Sequence, residues 1–167
     1  MHVAIFDAVV TLPLRMLHNL DAIIDKAAAD IAAGKLDEET VLRAKLAQDM
    51  FDFTRQVQLA CDFAKSPAAR LAGVEVPKFP DEETTLAALK ERIAGTANFV
   101  QGFQPAQFEG AAERQIVIPM RDRTLEMVGS DYLLGWAQPN FYFHYTTAYA
   151  ILRHLGVEIG KRDFLGG

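Results

Sequence analysis

An all-α fold is predicted, an antiparallel four-helix bundle with a small β-hairpin between its third and fourth helices, and three observations predict it. Apolar residues recur at alternating spacings of three and four through four stretches of the chain. The connections between those stretches are rich in Gly and Pro. One pair of short, β-branched segments stands alone between the third and fourth stretches, and two isolated strands are only marginally stable, so they read as an insertion on helices. With 167 residues, 50% of them apolar, the chain is of single-domain size over 1–167 and long enough to bury its own core.

The first helix carries Ile5, Val9, Leu12, Met16, Leu20, Ile23 and Ala27 on one face. Pro13 interrupts it, removing an amide donor and crowding the preceding turn, and Gly34 supplies a left-handed stop. The second helix begins near Asp37, where Asp-Glu-Glu suits the positive end of a helix dipole, and is expected to run through Leu42, Leu46, Phe53, Val57, Ala60 and Ala64. Gly73, Pro77 and Pro80 break the chain. The third starts at Asp81, with Glu82 and Glu83 in its first turn, and continues through Leu86, Leu89, Ile93, Ala97 and Val100 until Gly102 and Pro105. Residues 115–119 and 124–128 form the hairpin around a polar turn of four residues. The fourth helix follows Gly129, with Ser130 or Asp131 as N-cap, and reaches Leu155 before Gly156 stops it; Pro139 kinks or restarts it near Asn140.

A net charge of −5 and no clustered Lys/Arg face argue against nucleic acid as a partner. No apolar run approaches the ~20 residues of a membrane span, and Asp7 and Pro13 interrupt the opening segment, so neither a membrane nor a signal peptide is expected. The single Cys61 makes no internal disulfide, which suits a reducing cytoplasm. It lies beside Asp62, a neighbour that raises a thiol pKa, so it is expected to be a poor nucleophile. The chain lacks the motifs of serine hydrolases, P-loop proteins, dinucleotide-binding folds and HExxH metalloproteases.

Polar residues on apolar stripes mark the candidate site. A heptad through helix two (42, 46, 49, 53, 56, 60, 63) places Asp49 and Gln56 in a seam of Leu, Phe and Ala. A buried carboxylate needs a partner. Either register drift, about 20° per heptad, moves Asp49 to the edge, or a polar pocket lies inside the bundle, where such folds build their sites. Helix four carries Asn140 and His144, four apart and so on one face. That imidazole is a candidate metal ligand, a general base, or a core histidine satisfied by a carbonyl. His18 lies one residue off the first stripe, His154 suits the negative helix end, and His2 sits at a terminus expected to fray.

Three blocks resemble a bacterial and fungal family of unknown function in the DinB/YfiT-like superfamily: RMLHNLDAIIDKA (15–27), QDMFDFTRQVQLACDFAK (48–65) with RLAGVEVPKFPDEET (70–84), and PNFYFHYTTAYAILRHLGVEIGKRDFLG (139–166). The resemblance covers almost the whole chain and implies a DinB-type four-helix bundle, commonly a homodimer. Many superfamily members hold zinc or nickel with three histidines, and characterised relatives include thiol-dependent transferases and isomerases. Aligned on Leu155-Gly156-Val157, His144 takes the place of the last metal-binding histidine. The preceding histidine falls on Asn140, and helix two has none. Asp49, Asp62 and His18 are the remaining candidate metal ligands, whereas Asn and Gln ligate weakly. A divalent metal is thus the implied cofactor, with an incomplete ligand set that points to none tightly bound.

Two functions compete. The first is a small-molecule or thiol-transfer enzyme, metal-assisted or not, with His144 as base or ligand, Asp49 or Asp62 orienting the imidazole, and Asp49, Gln56, Asn140 and Tyr145 contacting the ligand. The second is a non-catalytic dimeric binding or stress-associated module. A carboxylate within about 5 Å of His144 on a solvent-connected cavity favours the first; a sealed imidazole favours the second. Phe141, Tyr142 and Phe143 hold more aromatic area than one inward face can take, so part of it is expected to meet the hairpin or a dimer partner.

Overall fold

The computed structural model describes residues 5–167 and is predominantly helical, with one two-stranded antiparallel hairpin. His2 lies outside the described residues. The long helices are α1 (Leu12–Ala32), α3 (Phe53–Ala72), α4 (Leu86–Gln101) and α6 (Gln138–His154); α2 (Glu38–Arg43), α5 (Gly129–Tyr132) and α7 (Lys161–Leu165) are short. α3 packs against both α4 and α6, and so does α1. Between them lies a core that includes Leu17, Leu20, Ile24, Phe53, Val57, Leu89, Ile93, Tyr145, Ile151 and Leu152. A second cluster with Val10, Leu71, Val100, Phe108, Ile116, Tyr132 and Leu133 ties the hairpin to the helices.

Both helix-initiating prolines follow the same device. Pro13 and Pro139 sit in the first turns of α1 and α6, and each is preceded by a π-helical turn, Asp7–Thr11 and Leu133–Ala137. A proline ring crowds the carbonyl four residues earlier, here Val9 or Gly135, and a wider turn relieves that crowding without ending the helix. The stops at Gly34 (φ 71°) and Gly156 (φ 92°) fall where the sequence places them. So does the hairpin: β1 (Gln115–Pro119) pairs with β2 (Thr124–Val128), Gln115 opposite Val128, closed by Met120 N–H donating to the Arg123 carbonyl at 2.8 Å.

Three boundaries differ from expectation. The second stretch is two helices, because the Asp52 side chain accepts from Arg55 N–H at 2.9 Å and starts α3 afresh. Residues 44–52 form a loop, closed by Phe53 N–H donating to the Ala44 carbonyl at 2.9 Å. α4 begins at Leu86 with Thr85 as cap, not at Asp81, and the 81–83 carboxylates lie outside the helix, where they meet cations. α5 starts from Val128 without a side-chain cap; Ser130 N–H instead donates to the Ala112 carbonyl. The C-terminal segment, not anticipated as structured, forms α7 against α1, where Lys26 meets Asp163.

Candidate functional site

Gln56 on α3 and His144 on α6 meet in the interface of their two helices. The His144 ring Nδ1 lies 2.8 Å from Gln56 Oε1, and both residues are buried. Gln56 Nε2 donates to the Phe51 carbonyl at 3.3 Å, which turns its Oε1 toward the ring. An amide oxygen can only accept, so Nδ1 carries the proton and Nε2 keeps its lone pair. Nε2 has no hydrogen-bond partner among the described residues, and the one sealed, unpartnered side-chain nitrogen or oxygen among them is Arg92 Nε. Nε2 therefore retains a path to solvent.

Aromatic rings frame this imidazole. Phe63 stacks on it with centroids 5.6 Å apart at 16°, and Phe143 meets it edge-on at 5.2 Å. Phe143 and Phe51, the residue whose carbonyl accepts from Gln56, are each 55% exposed. Burial, with a smaller contribution from the Arg55 guanidinium, pushes the His144 pKa below its ordinary value of 6.5, so the ring is neutral at neutral pH.

The other expected site residues do not join it. Asp49 is exposed on the 44–52 loop, because the Asp52 cap breaks the helix that the heptad assumed. His18 is exposed on the outer face of α1. Asp62 bonds Lys65 and Arg92 instead, its oxygen 3.0 Å from Arg92 Nη2. Asn140 is half-buried and donates to the Trp136 carbonyl at 2.8 Å, one turn back along the helix. Tyr145 is fully buried and points to α7, its hydroxyl 3.3 Å from the Phe164 carbonyl and its ring edge-on to Phe164; burial raises its pKa.

The donor set therefore does not fit a divalent metal. His144 has an amide, a weak ligand, as its polar partner, and among the described residues no three His, Cys, Asp or Glu side chains cluster. Cys61 is an inert thiol. Its pKa is pushed up to about 12, chiefly by burial rather than by Asp62, the cause read from the sequence.

A second polar assembly was missed. The Arg92 side chain, 2% exposed, donates to Glu83 at 2.9 Å and to the Pro80 carbonyl at 3.0 Å, and pairs with Asp62 and Asp81. Gln58 donates to Glu83 at 2.7 Å. Burial alone would raise the Glu83 pKa, but the hydrogen bonds from Arg92 and Gln58 outweigh it and lower the value. The signal was an arginine on the apolar stripe of α4, between Leu89 and Ile93.

No helix among the described residues is long and apolar enough to cross a membrane. A family model described as "Domain of unknown function (DUF1993)" matches residues 5–165. A crystal structure of a DinB family member protein from Shewanella denitrificans is similar to this chain, with 46% identity and a TM-score of 0.91 over 98% of this chain and 92% of that one. No curated protein matches. The chain belongs to the DUF1993 family, a DinB-like family of unknown function.

Proposed function

We propose that this protein is a DinB-type four-helix-bundle domain, formed by α1, α3, α4 and α6, that binds a small molecule at His144 without a tightly held metal. The observation that carries the reading is the 2.8 Å contact between His144 Nδ1 and Gln56 Oε1. It fixes one tautomer and leaves Nε2 as a hydrogen-bond acceptor or general base with a lowered proton affinity. The Phe63 ring stacked on the imidazole supplies the apolar contact that small-molecule sites use around a few polar groups. A thiol is a fitting substrate class, because a neutral imidazole can take its proton. Cys61, being buried, supplies no thiol of its own.

A thermal-shift screen of low-molecular-weight thiols and divalent metals tests this. Thiols should stabilise the wild type, lose that effect in His144→Ala and keep it in His154→Ala. Stabilisation by zinc or nickel at one equivalent, abolished in His144→Ala, would overturn the metal-free reading. A second reading, a non-catalytic dimeric module in a reducing cytoplasm, is favoured by two exposed phenylalanines, Phe143 against the His144 ring and Phe51 with its carbonyl on Gln56, and by an imidazole that no carboxylate orients among the described residues. We propose the homodimer under either reading, with these rings in its interface.

A further inference from the structure

We propose that the groove between α3, β1 and the π-helical turn before α6 is a separate binding site for a small aromatic or branched carboxylic acid, whose carboxylate is held by Arg70. The groove has a volume of about 220 Å³ and is lined by Leu59, Phe63, Ser66, Ile118 and Trp136, with Asp62 and Arg70 also in its wall. That is below the ~300–1,000 Å³ of pockets for drug-sized ligands, so an acid of amino-acid size fits.

Charge decides the ligand class. Arg70 is half-buried, and its one hydrogen bond among the described residues is a long one to the Tyr132 hydroxyl, 3.3 Å. No carboxylate pairs with it among those residues. A guanidinium offers five donors in a planar fork that matches a carboxylate, so most of its capacity is unspent. Asp62 does not cancel this charge. It lies eight residues away on the same helix, about 12 Å along the axis, and is already engaged by Lys65 and Arg92. The groove therefore has a cation at one end, a hydroxyl midway at Ser66, and apolar and aromatic walls. This site does not depend on His144 chemistry: a silent His144 with an acid bound at Arg70 would sink the earlier reading and leave this one standing.

Trp136 is the one tryptophan of the chain and lines the groove, so its emission reports occupancy directly. Phenylacetate and 4-methylpentanoate should each shift it saturably, whereas phenylacetamide, with the same ring and no charge, should not at equal concentration. Arg70→Gln should weaken phenylacetate roughly ten- to a hundredfold, the loss expected for a charge-assisted hydrogen bond. Ser66→Leu, which fills the groove and keeps Arg70, should also abolish the shift, and it decides the matter if circular dichroism shows Arg70→Gln unfolded. Acid and amide titrating alike, neither acid titrating, or wild-type binding by Ser66→Leu or by a folded Arg70→Gln would each overturn the proposal.

Discussion

Any proton that charges His144 must enter at Nε2, because Nδ1–H is already committed to Gln56. The charged ring would then sit between Phe63 and Phe143, near Arg55, and burial and that guanidinium both oppose it. The unfolded chain takes the proton near 6.5 and the folded chain only at lower pH, so between those values the unfolded state holds more protons. Stability from this residue is present above the unfolded pKa and is lost as pH falls through that window. The lowered Glu83 begins to cost stability only below its unfolded value of 4.5, so the two windows separate. Urea unfolding between about pH 7.5 and pH 5 should show a decline that is smaller in His144→Gln; an unchanged decline would mean the ring is not desolvated. Gln56→Glu should act in the opposite direction. A carboxylate in place of the amide favours the imidazolium, so the His144 pKa read by NMR should rise above that of the wild type.

At the scale of elements, Arg92 holds residues 80–83 against α3 and α4. Replacing it with Leu leaves Glu83 and Asp62 with fewer partners, and Glu83 is largely buried. Loss of one member of a buried pair costs about 3–5 kcal/mol; Asp81 is 42% exposed and Asp62 30%, so we expect about 2–4 kcal/mol here, measured by urea unfolding. Arg43→Ala, which breaks the exposed pair with Glu39, should stay within about 0.5 kcal/mol. Equal costs would show that the Arg92 network is not the fastener. Gly129 makes a different junction. A Cβ there would stand 1.8 Å from the Ala111 carbonyl oxygen, a backbone atom that cannot swing aside. Gly129→Ala should therefore destabilise by about 1–3 kcal/mol, the range of overpacked sites, by thermal unfolding. From sequence Gly129 was legible only as a breaker. The close approach of residue 111 is a tertiary fact that no local pattern carries. The 44–52 loop is the converse case. Its cue, Asp52 three residues before Arg55, is present, but the apolar repeat through Leu42, Leu46 and Phe53 runs across it and masks it. Leu46 is in fact 43% exposed. Gln56 and His144 were readable because each is polar on an otherwise apolar stripe. Arg70 was not, because an unpaired cation is visible only once every carboxylate around it has been placed.

For the whole molecule, the aromatic surplus noted in helix four divides three ways. Phe141 is buried, Tyr142 half-buried and Phe143 mostly outside. Phe143 meets the His144 ring and Phe51 lends its carbonyl to Gln56, so two exposed phenylalanines adjoin the polar pair that joins α3 to α6. Apolar area gathered in one place generally marks a contact, and the simplest contact for one kind of chain is a two-fold one, in which the same patch meets itself. Light scattering should then give twice 18.5 kDa. Phe143→Ser should shift the protein toward the monomer with its helical circular dichroism intact, because this ring lies mostly outside the core. A wild-type monomer would assign the two rings to a ligand instead, and Phe143→Ser would then weaken thiol stabilisation without changing mass. A dimer that survives Phe143→Ser would move the interface elsewhere, toward Val117, Met120 and Leu134, large exposed apolar side chains of the hairpin and the π-helical turn.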